Sequence, residues 1–403
     1  MTHTHDGLAA MERRKAHAPN GFDSLMSVQM SGANRVQRQR FGHLKKHALL
    51  PPHEGGTLPL GFESMHNEKP KTPWRMKVVA NTAIRDLENQ ASSTERAVSP
   101  GFRFSGHQTF PLRVAWIPKA VGAITDGQDP LTNIDEGIVS LGLGKNMVEA
   151  LRCWIEAFQI ASKEDSGWSL SAVGELVFAP TTGLDPFLED HSSNWLLHWL
   201  ISRNTQAPFF AWECLFNRWP TAEFSASAVV EAFRKESEQN QRTASIVTLK
   251  QHWEVFLHSY RPPRGTRGEY HLDCALSVLG LIHEAGERQN AAGKWETLYA
   301  FDTGPKTAIP QQLFAFFIHD WWNRAFPSEQ TVALRELVAG NHSPGRILRM
   351  AESEILERVS DLTRVQSNGF QIAESANLRQ LRRLRRSNGH DDLRAAYGKP
   401  RFL

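Results

Sequence analysis

The sequence predicts a mainly α-helical protein with small β wings, and three observations lead to this class. After residue 102, apolar side chains recur at helical spacing over most of the chain. Glycine-rich or Ser-Pro-Gly turns separate successive helices. The chain holds 12 Trp and 22 Phe but only 4 Tyr, which favours large aromatic contacts between helices over a hydroxyl-rich surface. We therefore expect an N-terminal winged helix-turn-helix, a central helical region and a second winged helix at the C-terminus.

Length and composition limit the class further. A chain of 403 residues with 40% apolar residues is long enough for two or three domains. The formal charge of +3 permits nucleic-acid binding without requiring it. Three cysteines lie far apart with no CxxC pair, which argues against a disulfide framework and a structural zinc site. With no secretory signal and no apolar stretch of membrane-spanning length, we expect a cytoplasmic protein without a membrane partner.

The first hundred residues differ in composition from the rest. They hold 14 Lys/Arg against 9 Asp/Glu, seven of the 17 histidines, and almost no helical periodicity. Such a segment buries too little apolar surface to offset its ordering entropy, so we expect disorder. Two interpretations stay open. The leader could hold nucleic acid non-specifically, or it could be an extension upstream of a true start at Met30 or Met76.

Changes in periodicity predict five segments. In order they are a disordered basic leader at 1–101, a winged helix-turn-helix at 102–183, a helical domain at 184–263, a mixed helical connector at 264–326, and a winged-helix-like region with a basic helix at 327–403. Within the second segment we expect helices at 111–125, 133–141 and 145–158, with a glycine turn at 141–144.

The helix at 145–158 is the first candidate DNA-binding element. In a helix-turn-helix, the N-terminal side chains of the second helix reach base edges and phosphates. Lys145 and Asn146 occupy those positions, and Arg152 lies two turns on, where it would contact the DNA backbone. Docking of a protein partner is the alternative, because Glu149 lies on the same face.

The run at 378–386 is the second candidate DNA-binding element. Leucines fall at every third position and predict a helix with an apolar edge, while arginines cover the remaining surface. A solvated helix face or an anchor for an acidic partner is an equally good interpretation. The candidate phosphate contacts are Arg382, Arg383, Arg385 and Arg386.

The sequence gives only weak support for particular catalytic and metal-binding residues. Ser105, His107 and Thr109 lie close in sequence, but catalytic triads meet in space, and helix capping explains them more simply. Metal-dependent nucleases need converging carboxylates, since Mg²⁺ prefers oxygen ligands. The candidate carboxylates are Asp185, Glu189 and Asp190. Turn formation and helix capping explain these residues more simply.

Three motifs taken together resemble a known bacterial family. They are Phe-Ser-Gly-His-Gln-Thr-Phe-Pro-Leu-Arg at 104–113, Leu-Gly-Leu-Gly-Lys-Asn-Met at 141–147, and Asp-Pro-Phe-Leu-Glu-Asp at 185–190 with Trp195 and Trp199. The chain resembles the domain-of-unknown-function family that includes SspB-type proteins of DNA phosphorothioate modification systems. Later pieces at 343–346 and around Leu378 are also similar.

The resemblance implies a DNA-binding and DNA-nicking subunit of a phage-defence system. Such a subunit would act with protein partners of a sulfur-modification complex and would need a divalent metal such as Mg²⁺. It also raises His107 and Arg113 as catalytic candidates, although Gln108 stands where the family usually has Glu. A winged-helix transcriptional regulator and a non-enzymatic DNA-targeting scaffold remain as alternatives, and no cofactor is evident from the residues themselves.

Overall fold

A computed structural model describes residues 101–239, 243–261, 274–364, 369–375 and 378–398. The predicted basic leader therefore lies outside the described residues, apart from its last position. The described part forms one compact unit and consists of helices with three small antiparallel sheets. The predicted class, mainly α with small β elements, is confirmed at this level.

The first group of elements is helical with one hairpin. It comprises α1 (Trp116–Thr125), α2 (Ile134–Leu141), α3 (Lys145–Ala157), β1 (Ala161–Glu164), β2 (Gly167–Leu170) and α4 (Ala172–Phe178). The Asn133 side chain caps α2 by accepting from the backbone N–H groups of Asp135 and Glu136. Gly142 ends α2 at φ 62°, a conformation that glycine adopts without strain.

The first helix begins at Trp116, five residues later than the sequence predicts. The preceding segment forms backbone bridges elsewhere: Arg103 to Phe209, and Arg113 to Cys274. These distant pairings hold the segment in a non-helical path, which local periodicity does not show.

The second group contains a three-stranded sheet. Its elements are α5 (His191–Ser202), α6 (Phe210–Trp212), a π-helical turn (Glu213–Arg218), β3 (Glu223–Ser225), α7 (Ala226–Gln239), α8 (Ile246–Tyr260), β4 (Ile282–Gln289) and β5 (Trp295–Phe301). The strand order is β3-β5-β4, so the second strand of the hairpin pairs with the early strand β3.

The third group repeats that order. It comprises α9 (Gln311–Ala325), β6 (Thr331–Ala333), α10 (Leu334–Ala339), α11 (Pro344–Leu348), α12 (Glu352–Arg364), β7 (Phe370–Ser375), β8 (Leu378–Arg383) and α13 (His390–Ala396). The strand order is β6-β8-β7, again with the second hairpin strand in the centre. Helix, strand, helices and hairpin thus follow one another in the same sequence in both groups.

The predicted basic helix at 378–386 is wrong, because residues 378–383 form strand β8. Pairing with β7 places Ile372 opposite Leu381. Leu381 is buried whereas Leu384 is 52% exposed, so the leucines do not form one apolar edge. A three-residue spacing favours a helix, because in a strand it puts successive leucines on opposite faces. Pairing with β6 and β7 overrides this local preference.

A single apolar cluster runs through all three groups. Its largest members are tryptophans that are almost completely buried. Their rings stack on neighbouring aromatic rings: the ring centres of Trp154 and Phe158 are 5.6 Å apart, and those of Trp199 and Phe317 are 4.8 Å apart. All three cysteines are buried, and no two of them form a disulfide bond. No helix in the described ranges has the length and apolar character needed to cross a membrane.

Helix α2 packs so closely against its neighbours that a substitution at Gly137 tests this packing. A Cβ at Gly137 would lie 2.3 Å from the Pro130 carbonyl oxygen and 2.8 Å from the Val148 side chain. We expect Gly137→Ala to lower the free energy of unfolding by about 2 kcal/mol, as overpacking does. Gly122→Ala in α1 is the matched control, since a Cβ there meets nothing within 4 Å. It should stabilise by up to about 1 kcal/mol. Urea unfolding measures both, and equal effects would contradict this packing.

Candidate functional site

The segment from Arg103 to Phe110 is a strained loop. Gly106 has φ 109°, and the non-glycine residues Gln108 and Thr109 have φ 48° and 69°. A Cβ at Gly106 would lie 2.6 Å from the Cys153 sulfur, so only glycine allows this approach to α3. Backbone strain of this kind persists where the surroundings impose it, and it is concentrated at functional sites.

His107, within this loop, belongs to a buried histidine pair. It is 3% exposed, and its Nε2 lies 3.0 Å from Nδ1 of His252. The Ala211 backbone N–H donates to His252 Nε2, which leaves the proton of a neutral His252 on Nδ1. His252 therefore donates to His107, whose own proton sits on Nδ1. That buried atom has no hydrogen-bond partner in the described part of the chain.

Burial changes the acid–base behaviour of this pair. Desolvation, and then the nearby Arg103 charge, lower the pKa of His107 to about 4. Desolvation followed by the His107 charge lowers the pKa of His252 as well. Both rings are neutral at physiological pH, and His107 has almost no surface to offer a substrate. Its catalytic role stays a prediction, and its position favours a structural one.

The other prominent residues of the motif have different surroundings. Arg113 is half-buried, with its guanidinium 5.9 Å from the centre of the Trp116 ring. Gln108 is exposed, and its amide donates to the Glu149 carboxylate at 2.9 Å. Because a carboxylate cannot donate that bond, this contact requires an amide side chain at position 108.

A polar pocket of about 260 Å³ lies between the strained loop, α3 and the β1–β2 hairpin. Arg103 reaches across it to Glu156 at 3.3 Å and also contacts the Cys153 sulfur. Burial raises the pKa of the Cys153 thiol to about 12, so this sulfur is a packing group rather than a nucleophile. Two further cations, Arg152 and Lys163, line the pocket. Sequence pattern does not identify Arg103 or Lys163 as site residues, because the loop, the helix and the hairpin come together only in the folded chain.

Helix α3 carries the residues that the sequence predicts to contact DNA. Lys145 and Asn146 are exposed in its first turn, after the N-cap Gly144. Within the described ranges neither side chain makes a hydrogen bond or ion pair. Arg152 is half-buried and faces the pocket instead of joining them.

Two carboxylates of the acidic cluster at 185–190 accept hydrogen bonds from neighbouring backbone and hydroxyl groups. Asp185 is buried and accepts from the backbone N–H groups of Glu189 and Asp190 and from the Ser193 hydroxyl, at 2.9, 3.0 and 2.5 Å. Asp190 caps α5 by accepting from the Ser192 N–H. The Asp185 and Asp190 carboxylates thus accept from backbone and hydroxyl donors, and a metal-binding role of the cluster stays a prediction. Over all described residues, no three His, Cys, Asp or Glu side chains converge as metal ligands.

The predicted arginine cluster divides between two roles. Arg383 is 6% exposed and donates to the Asn323 side chain and to the Pro327 carbonyl, so it is part of the packing. Arg382, on the opposite face of β8, is exposed, and so are Arg385 and Arg386 beyond the strand. In the described part of the chain, Arg382 and Arg386 make no hydrogen bond or ion pair.

The histidine pair makes stability depend on pH. The pKa of a histidine in the unfolded chain lies near its ordinary value of 6.5, whereas the pKa of folded His107 is about 4. The unfolded state therefore takes up the proton first, and stability falls as pH is lowered from about 6.5 towards 4. Since one pKa unit corresponds to about 1.4 kcal/mol, His107 accounts for about 3 kcal/mol.

We expect His107→Asn to flatten this pH dependence, measured by urea unfolding between pH 4 and 7. Phe158→Leu is the control, because it removes buried apolar volume without removing a titrating group. It should lower stability at every pH and keep the wild-type slope. An unchanged slope in His107→Asn would contradict the assignment.

Comparison with known proteins identifies the family of the chain and two proteins of similar fold. A family model described as a protein of unknown function, DUF4007, matches residues 104–397. A magnesium ion-bound SspB crystal structure is 22% identical, with a TM-score of 0.65 over 75% of this chain and 89% of that one. A second SspB crystal structure is also 22% identical, with a TM-score of 0.64 over 76% and 91%. No curated protein matches. The family suggested by the motifs is confirmed, and the chain belongs to the DUF4007 family.

Proposed function

We propose that this protein binds duplex DNA as a subunit of a bacterial phosphorothioate modification and phage-defence system. The observation that carries the DNA-binding part is the exposed arginine group at the end of the β7–β8 hairpin: Arg382, Arg385 and Arg386. The setting is taken from the family and from the SspB structures that share the fold. In this setting the protein would work with protein partners that supply the sulfur chemistry.

The order of elements in the second and third groups supports winged helices. Each group has a helix, a strand, further helices and a hairpin, with strand order β3-β5-β4 or β6-β8-β7. The first group has three helices followed by the β1–β2 hairpin. In winged helices the hairpin and the third helix lie close to the DNA, which makes both the natural places for phosphate contacts.

Charge distinguishes the hairpin from the helix in the third group. Helix α12 exposes Glu352, Glu357 and Asp361, and these carboxylates would repel phosphates. The hairpin instead presents arginines whose guanidinium groups bind phosphate oxygens in a forked geometry. We propose that the hairpin, rather than α12, contacts the DNA backbone. In the first group, Lys145 and Asn146 are proposed to contact the groove.

Replacing the exposed arginines tests the proposal. We expect the triple variant Arg382→Gln, Arg385→Gln, Arg386→Gln to bind duplex DNA at least about tenfold more weakly. Its plot of log K against log salt should be shallower by about 2 to 3, because each lost phosphate contact removes roughly one unit of slope. Fluorescence anisotropy over a salt series gives both quantities. Lys145→Gln with Asn146→Ala should weaken binding separately.

A matched triple variant controls for total charge. Lys235, Arg335 and Arg364 are exposed on α7, α10 and α12, and their conversion to Gln removes the same three charges elsewhere. This control should keep the wild-type affinity and salt slope. Equal losses in both triple variants would show that binding follows net charge, and would contradict a hairpin interface.

Nicking is a separate proposal, which depends on the family resemblance alone. Supercoiled plasmid incubated with the protein, its partner proteins and Mg²⁺ or Mn²⁺ should yield open circles, and a chelator should prevent them. Intact plasmid under all metal conditions would contradict nicking and favour a DNA-targeting scaffold. Selective binding to the protein's own promoter would favour a transcriptional regulator.

A further inference from the structure

The polar pocket between the strained loop, α3 and the β1–β2 hairpin is not explained by backbone contacts to duplex DNA. Its volume of about 260 Å³ is below the roughly 300 to 1,000 Å³ that is usual for drug-sized ligands. Its wall includes charged groups, a threonine and the edge of Trp168. A small and highly polar ligand suits these dimensions.

The pocket concentrates positive charge in an acidic part of the chain. Residues 101–183 contain six Lys/Arg and nine Asp/Glu, yet three of the six cations line this one pocket. Arg103 is paired with Glu156. Arg152 and Lys163 make no hydrogen bond or ion pair within the described residues, so their charges are available to a ligand. This placement favours an anion.

The remaining polar groups narrow the class of anion. Trp168 Nε1 donates to the Thr132 hydroxyl oxygen at 3.1 Å, which leaves the hydroxyl hydrogen free to donate to a ligand. Glu149 and Gln108 add a carboxylate and an amide to the same wall. A carboxylate would repel a bare phosphate, but it can accept from the amino group of a nucleobase.

We propose that this pocket binds a nucleotide through its terminal phosphate, with Arg152 and Lys163 as the phosphate ligands. Glu149 and Gln108 would then face the base edge. The phosphate monoester can belong to a free mononucleotide or to the 5′ end of a DNA strand. The inference deepens the proposed function and rests on it only for the strand end.

The strained loop gives this pocket a fixed wall. Gly106 lies against Cys153 of α3, and the unusual φ values at Gln108 and Thr109 hold the Gln108 side chain towards Glu149. A pocket wall that is ordered before the ligand arrives reduces the entropy lost on binding. The backbone strain of the loop therefore contributes to binding, because it keeps this wall of the pocket in one conformation.

The full chain titrated with deoxycytidine 5′-monophosphate, whose base carries an amino group, with deoxycytidine and with inorganic phosphate tests the site by calorimetry. We expect the monophosphate to bind at least about tenfold more tightly than either fragment. Arg152→Gln and Lys163→Gln should each weaken it by about tenfold, as loss of a charged hydrogen bond does. Lys235→Gln, which removes an exposed charge from α7, should leave it unchanged. Equal binding of monophosphate and nucleoside, or an equal loss in Lys235→Gln, would overturn the proposal.

A second arm distinguishes the two sources of the phosphate. Nicked duplexes with a 5′-phosphate or a 5′-hydroxyl at the nick are compared with intact duplex. Preference for the 5′-phosphate, lost in Lys163→Gln while intact-duplex affinity is kept, assigns a strand end; monophosphate binding without that preference assigns a free nucleotide. If the monophosphate binds but intact duplex does not, the proposed function fails and this inference stands.

Discussion

The rest of the fold depends on the hydrogen bonds that the buried backbone carbonyl groups of the π-helical turn Glu213–Arg218 accept. A wider helical turn leaves carbonyl oxygens without regular partners, and in a buried position each would cost free energy. Arg346 donates to the Asn217 carbonyl and Arg349 donates to the Leu215 carbonyl. These two arginines follow the Ser-Pro-Gly turn at 343–345 in the third group of elements. The turn therefore fastens the third group to the second.

A buried carboxylate extends this junction. Glu213 lies 2.7 Å from His342 Nε2 and 2.8 Å from Arg218 Nε. Burial raises the pKa of the Glu213 carboxyl, but the hydrogen bonds and charges of His342 and Arg218 outweigh that effect, and the net shift is downward. The carboxylate consequently stays charged and keeps both partners in place. His198 adds a parallel link, since it contacts the Ile347 carbonyl and the Tyr260 hydroxyl.

Local pattern was sufficient where an element depends on its own residues. Helix α3 lies within one residue of its predicted bounds, because the glycine turn precedes it and one face of it is apolar. The acidic cluster behaves as the capping interpretation predicts, since a cap needs only neighbouring backbone. Such features follow from sequence because their partners lie within a few residues.

Distant partners are what the sequence could not reveal. His107 meets His252, which is 145 residues away, and no local pattern relates them. Strand β8 becomes a strand because β6 and β7 flank it, whereas its own residues also suit a helix. The pocket needs a loop, a helix and a hairpin to come together before Arg152 and Lys163 share a wall.

The placement of charge suggests how affinity and selectivity divide within the molecule. The hairpin arginines are exposed, so their attraction to phosphates is screened by salt and indifferent to which phosphate is met. Arg152 is half-buried beside a carboxylate and a fixed loop, where a ligand must match shape and hydrogen bonding as well as charge. Contacts of the first kind hold a protein on DNA, and contacts of the second kind select one chemical group on it. The proposed function would use both kinds of contact, and the two sets of cations lie on different elements of this fold.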